Sequence, residues 1–317
     1  MGNDGGVDPW ARWLLHGRSG GDEAAEQQTL NFLTPIRDRV LNGADIQPGD
    51  VVLDVGCGDG LLGFGSLSRV GHDGTVVFTD VSPDLLNECR EIAERARVSH
   101  RCMFVRTPAE TLEGIEDSSV DVVTTRSVLI YVDDKPAAFD AFRRVLRPGG
   151  RMSLFEPINR RHLELNRDTL FGYDVTPVME LAAKVRAVFE AVADPDGPML
   201  GFDETDLLHV AEVSGLTDIT VSLELTSTER PYFRDLSWET FLQMSPNPHA
   251  PTFGDAIKKA LNDNESAVFE SHLRPKVETS MGARVRNAHA YVTAREPEAA
   301  PEHTPASESP PHPSPWS

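Results

Sequence analysis

VVLDVGCGDG, Val51 to Gly60, sets the architecture of this chain. Its first half is a short apolar run rich in β-branched residues, the pattern of a buried strand. Its second half places a glycine at every other position, the composition of a tight turn that lets backbone approach a ligand closely. A helix from about Leu61 to Val70 should follow. Moving outward, TVVFTD (75–80) reads as a second strand. Ser82 and Pro83 read as the N-cap and first residue of a helix running to about Arg97. CMFVR (102–106), VDVVTT (120–125) and RMSLFEP (151–157) read as three more strands. A helix opened by Asp133 and Asp134 precedes the last of these, and Pro148-Gly149-Gly150 is expected to end it. Strands alternating with helices imply a parallel sheet covered on both faces, with right-handed crossovers.

The flanks are organised differently. Residues 22–42 carry Leu30, Leu33, Ile36, Val40 and Leu41 at helical spacing, and residues 1–20 are glycine-rich and read as irregular, with Trp10 and Trp13. Residues 1–44 are therefore expected to form a segment and helix covering a cleft, and residues 45–295 the main domain. Within it, 158–200 and 229–283 read as helical inserts, with a good helix at about 178–193. Glu204 to Val213 is a further helix, and 218–226 and 287–294 are the last strands. The second insert holds Tyr232, Phe233, Trp238, Phe241, Met244 and Phe253; most are expected to be its own core, the alternative being the wall of an apolar pocket. The tail, 296–317, has seven Pro, four Glu and no Lys or Arg, so disorder is expected there.

The formal net charge is −20 and no Lys/Arg cluster stands out, which argues against a nucleic-acid substrate. The three cysteines, Cys57, Cys89 and Cys102, have neither metal-ligand spacing nor an even count. No metal is expected. The first ten residues lack the pattern of a signal peptide, and no run of apolar residues is long enough to cross a membrane. A cytoplasmic protein acting on a small molecule is the expectation, with a homodimer left open as its assembly.

In an open α/β sheet, ligands bind beyond the carboxyl ends of the strands where strand order reverses. Asp54 closes the first strand ahead of the glycines, an arrangement suited to a cofactor with a cationic amino-acid end and no pyrophosphate. Asp80 closes the second strand, where a carboxylate can accept hydrogen bonds from a ribose diol. Gly58-x-Gly60-x-x-Gly63 also matches the dinucleotide fingerprint, so a nicotinamide-dependent oxidoreductase stays open as an alternative.

Together these stretches resemble class I S-adenosylmethionine-dependent methyltransferases. VLDVGCGDG resembles their first motif and VVFTDVSPDLL their second. VDVVTTRSVLIYVDDKPAAFDAFRRVLRPGGRMSLFEP resembles the later ones, with the section around Arg126 similar to ubiquinone/menaquinone-biosynthesis enzymes. The likeness covers about 45–157 and, more loosely, the last two strands. It implies a Rossmann-like α/β fold, a seven-stranded, mostly parallel sheet with helices on both faces and helical lid inserts, and S-adenosyl-L-methionine as cofactor. It also implies that Asp54 lies near the cofactor ammonium, that Gly56, Cys57 and Gly58 line its path, that Asp80 takes the ribose and that Val81 packs on the adenine. Ala109 and Glu110 fall where the family has an Asp-Ala-Glu run, with Pro108 in place of the Asp. Arg126 and Ser127 lie beside the methionine, Arg126 pairing with a carboxylate of cofactor or substrate, or else structurally with Asp54 or Asp121. Methyl transfer from a sulfonium needs orientation above all. Glu156, His162 and His16 are the candidate bases, with His249 and Tyr173 behind them. A methyltransferase fold used for binding or for non-methylating chemistry is the other alternative.

Overall fold

In the computed structural model the described residues are 7–299, apart from 193, 195, 230–232, 235 and 282. The expected strands form as β1 (Val51–Val55), β2 (Thr75–Asp80), β3 (Cys102–Arg106), β4 (Val120–Arg126), β5 (Leu146–Pro157), β6 (Thr217–Thr228) and β7 (Val285–Arg295). They make one seven-stranded sheet in the order β3-β2-β1-β4-β5-β7-β6. β1 to β5 run parallel, and β7 is antiparallel to both its neighbours. The chain leaves β1 toward one edge and returns at β4 to build toward the other, so the carboxyl ends of β1 and β4 flank the reversal that opens a crevice.

Burial follows the period-two alternation of strands. Leu53, Val55, Val77 and Val123 enter a core closed by helices Lys135–Val145 and Glu204–Val213. Val52, Val76, Phe78 and Val122 face the other way, beneath Pro83–Arg95 and the short helix Leu61–Ser66. Helix Glu23–Gly43 lies on that same side, over Phe155.

Three local readings are corrected. Residues 9–17 are helical rather than irregular: Pro9–Arg12 is an α-turn that runs into a π-turn, Trp13–Gly17. The cause is the pair Asp8-Pro9, because the Asp8 side chain accepts from the Ala11 amide at 3.0 Å while Pro9 fills the first helical position. The helix after β1 stops at Ser66, four residues early. Pro148-Gly149-Gly150 lies inside β5, since Leu146 already pairs with Val120 and the intervening residues form an irregularity in the ladder.

The two inserts pack on each other. A hairpin, Thr169–Leu170 with Tyr173–Asp174, joins helices Met179–Glu190, Trp238–Gln243, Phe253–Ala260 and Asp263–Thr279 around a separate core. Trp238, Phe241 and Phe253 are buried in that core, with Phe233 and Met244 packed against it; Tyr232 lies outside the described residues. At the other end, Glu296 and Pro297 still pair with the Gly149–Gly150 turn, and Arg143 binds Glu296 at 2.9 Å. Of the tail expected to be disordered from 296, residues 300–317 lie outside the described residues.

Candidate cofactor site

The glycine turn is held from three sides. Gly56, Gly58 and Gly60 all have positive φ, at 62°, 55° and 80°. The Cys57 amide donates to the Thr79 carbonyl at 2.8 Å, tying the turn to β2. Asp54, 1% exposed, accepts from the Gly63 amide at 2.8 Å and so fixes the start of the following helix. Asp80 accepts from Gly58 through one oxygen and from Ser82 through the other, both at 2.9 Å. Desolvation raises the Asp54 carboxyl to about 7 against the opposing bond from Gly63 and the field of Arg126. Desolvation also raises Asp80, with the Ser82 and Gly58 amides opposing.

A cavity of about 240 Å³ opens beside this turn. Asp80, Val81, Leu85 and the loop Thr107 to Glu110 line one end, and Gly56, Arg126, Ser127, Val128, Tyr131 and Val132 the other, with Gly58 at the turn itself. Trp10, Trp13, Leu14 and Arg18 close it from the N-terminal side. Val81 is 44% exposed, an apolar face free to take a flat ring. Each Asp80 oxygen accepts one amide and keeps a lone pair for a hydroxyl. The Arg126 guanidinium forms no hydrogen bond or ion pair among the described residues; burial weakens its cation, and Asp59, then Asp54 and Glu156, sustain it while Arg18 opposes. Asp121 has no such role, being taken by Arg147 and the Val51 amide. The polar inventory is therefore a diol acceptor at one end and an unpaired cation at the other.

The structure brings together Gly56, Gly58, Asp80, Val81, Ala109, Glu110, Arg126 and Ser127. Asp54 and Cys57 sit beneath the turn, outside the cavity wall. The candidate bases are not brought together. Glu156 is fully buried and accepts from the amides of Val128 (2.9 Å), Leu129 (3.0 Å) and Ile130 (3.2 Å). It shapes the loop after β4 rather than lining the cavity, and desolvation raises its carboxyl to about 7 against those three bonds. His162 stands on helix Asn159–Leu165 with Asn166 at 3.4 Å, its ring lowered by burial and near His289. His16 is exposed and borders a separate outer groove. His249 packs edge-on against Trp10 at 5.4 Å, and Tyr173 belongs to the core of the inserts. Sequence reading missed the roof residues Leu14 and Arg18 and the wall residue Tyr131, whose ring meets Trp10 edge-on at 4.7 Å. The capping pair Asp8-Pro9 was the available signal for an ordered roof.

Residues 52–150, which carry the turn, the Asp80 carboxylate and strands β1 to β4, match the model of the methyltransferase domain family. This stretch of the chain is a methyltransferase domain. Nocamycin O-methyltransferase of Saccharothrix syringae is 36% identical to this chain over 129 residues, 41% of this chain and 45% of that protein. The ubiquinone/menaquinone biosynthesis C-methyltransferase of Hydrogenovibrio crunogenus is 29% identical over 182 residues, 53% of this chain and 71% of that one. The matches to the first relatives span about half of those proteins' length. In fold, the chain is similar to the YcgJ protein of Bacillus subtilis, with a TM-score of 0.51 at 14% identity, over 84% of this chain and 99% of that one. None of its described helices is long and apolar enough to cross a membrane.

Proposed function

We propose that this methyltransferase holds S-adenosyl-L-methionine beneath residues 10–18 and directs its methyl group onto a small-molecule acceptor by in-line displacement. The observation that carries the reading is the pairing, in one cavity, of the Asp80 lone pairs with the unpaired Arg126 cation. The first suits the ribose diol and the second the methionine carboxylate. Val81 offers the adenine a face, and Ala109 and Glu110 border it. The cofactor supplies an electrophilic methyl on a sulfonium, and its thioether leaves without needing a proton or a metal. What the protein adds is alignment and exclusion of water, which in well-aligned systems is worth about 7–11 kcal/mol. A base enters only where the acceptor must lose a proton first.

The relatives are named for nocamycin and for ubiquinone/menaquinone biosynthesis, both small-molecule chemistries. The acidic surface agrees with an acceptor that is not a nucleic acid, and the free thiols of Cys57, Cys89 and Cys102 suit a reducing cytoplasm. A second reading, binding or non-methylating chemistry on the same cofactor, is favoured by one fact: Glu156, His162 and His16 all stand outside the cavity wall. Calorimetric titration with S-adenosylmethionine, S-adenosylhomocysteine and NAD tests the cofactor. Micromolar binding of the first two and none of NAD is expected; the reverse pattern would overturn the assignment. Release of S-adenosylhomocysteine in the presence of candidate acceptors separates methyl transfer from the second reading.

A further inference from the structure

The roof of the cavity contains an unfinished ion pair. Arg18, at the end of the π-turn Trp13–Gly17, reaches Asp59 of the glycine turn, with its Nη2 3.2 Å from Oδ2. Both side chains are only 20% exposed. A second guanidinium nitrogen, Arg18 Nε, and the other carboxylate oxygen, Asp59 Oδ1, are buried without a hydrogen-bond partner among the described residues. A buried donor left unpaired costs about 1–3 kcal/mol, as does a buried acceptor, so side-by-side orphans of opposite kind mark a place where something else belongs. Arg18 and the unpaired Arg126 line the same cavity, and the two like charges oppose each other there.

A group that relieves all of this carries a carboxylate for the guanidinium groups and an ammonium for Asp59. That is the zwitterion of an α-amino acid. Resting on the cofactor reading above, we propose that Arg18 is a latch: it binds the carboxylate of the cofactor's amino-acid end, and closure of the N-terminal segment is thereby coupled to occupancy of the site. The segment is anchored at two further points. On one side Asp8 bonds Ser82, and its amide donates to Asp84 at 2.8 Å. On the other, the Ser245 amide donates to the Gly17 carbonyl at 3.2 Å. Arg18 directly follows the second anchor and is the residue that reports whether an amino-acid group is present.

The probes are S-adenosylhomocysteine, which has the zwitterion, and 5′-methylthioadenosine, which has the same adenosine and thioether without it. Wild type is expected to bind both, and only S-adenosylhomocysteine should slow amide exchange across residues 9–21. R18A should lose roughly ten- to a hundredfold in affinity for S-adenosylhomocysteine, as for one charge-assisted contact, keep its affinity for 5′-methylthioadenosine, and lose the exchange protection. R18K should recover part of both. The retained binding of 5′-methylthioadenosine shows that the variant is folded. Equal loss of both probes, or an unchanged S-adenosylhomocysteine affinity in R18A, overturns the latch. Failure of wild type to bind either probe overturns the cofactor reading instead.

Discussion

Gly56 and Gly58 look equivalent in VGCGDG, but replacing them with alanine should have very different consequences. At Gly58 the φ of 55° is unfavourable for a side chain, yet an added Cβ would meet only Leu14 of the roof, at an ordinary 3.5 Å. The cost of G58A is therefore conformational, about 1–2 kcal/mol. At Gly56 the φ is 62°, and an added Cβ would lie 2.4 Å from Val128 Cγ2. Val128 cannot readily swing away: it is β-branched, and its amide is held by the buried Glu156. Overpacking of this kind adds about 1–3 kcal/mol to the strain, so G56A should cost about 2–5 kcal/mol in all. The steric part should be recoverable. In the double variant G56A/V128A the two substitutions should be less than additive by about 1–3 kcal/mol, whereas G58A/V128A should be additive. Urea unfolding of the ligand-free protein measures all five variants, and titration with S-adenosylhomocysteine shows whether the turn regains its shape. If G56A and G58A destabilise equally, or if V128A brings no relief to G56A, the turn does not pack against the loop after β4 as described.

Two further outcomes are expected. Burial raises Glu156 and Asp54 to about 7, above their ordinary 4.5 and 3.8, so the folded chain binds these protons more tightly than the unfolded chain does. The stability they contribute is whole below about pH 4 and fades as pH rises through 7; unfolding free energies at pH 5.5 and pH 8 should show that decline, and E156Q, which cannot titrate, should flatten it, an unaltered slope refuting the assignment. D80N should weaken S-adenosylhomocysteine and 5′-methylthioadenosine alike, by about ten- to a hundredfold, because both carry the ribose; selective loss of one would place Asp80 elsewhere on the ligand.

The sheet was readable because each strand is a short β-branched run bounded by turn residues, and because strands buried on both faces need no partner information to be recognised. The cavity wall was readable wherever a side chain follows directly from a strand end, as Asp80, Val81, Arg126 and Ser127 do. Glu156 shows the limit. Its position at the end of β5 puts it behind the wall residue Val128, but a strand end says nothing about which donors will meet the carboxylate. Three amides of a loop that begins 28 residues earlier do so. The histidines failed for the same reason. Whether His16 faces inward or outward depends on the phase of a π-turn, and that phase is set by contacts with residues more than 200 positions away, such as the bond from Trp13 Nε1 to the Ser245 carbonyl at 2.9 Å.

That distant contact also changes what the inserts do. Both residues 1–44 and the inserts were expected to cover the cleft; the cavity wall draws its roof from residues 10–18 and takes no residue from 229–283. The second insert grips this roof from outside, through Ser245 on Trp13 and Gly17 and through His249 on Trp10. Gln28 and Arg234 tie the following helix to the insert by a pair of hydrogen bonds. The inserts have a hydrophobic core of their own, so they offer a rigid surface against which a short N-terminal segment can be ordered. A nine-residue segment buries too little to hold its own conformation in water. Clamped between the glycine turn and the insert, it presents Leu14 and Arg18 to the cavity. Substitutions in the segment 243–250 are therefore expected to change cofactor affinity through the roof without touching the cavity, and titration of such variants with S-adenosylhomocysteine measures it.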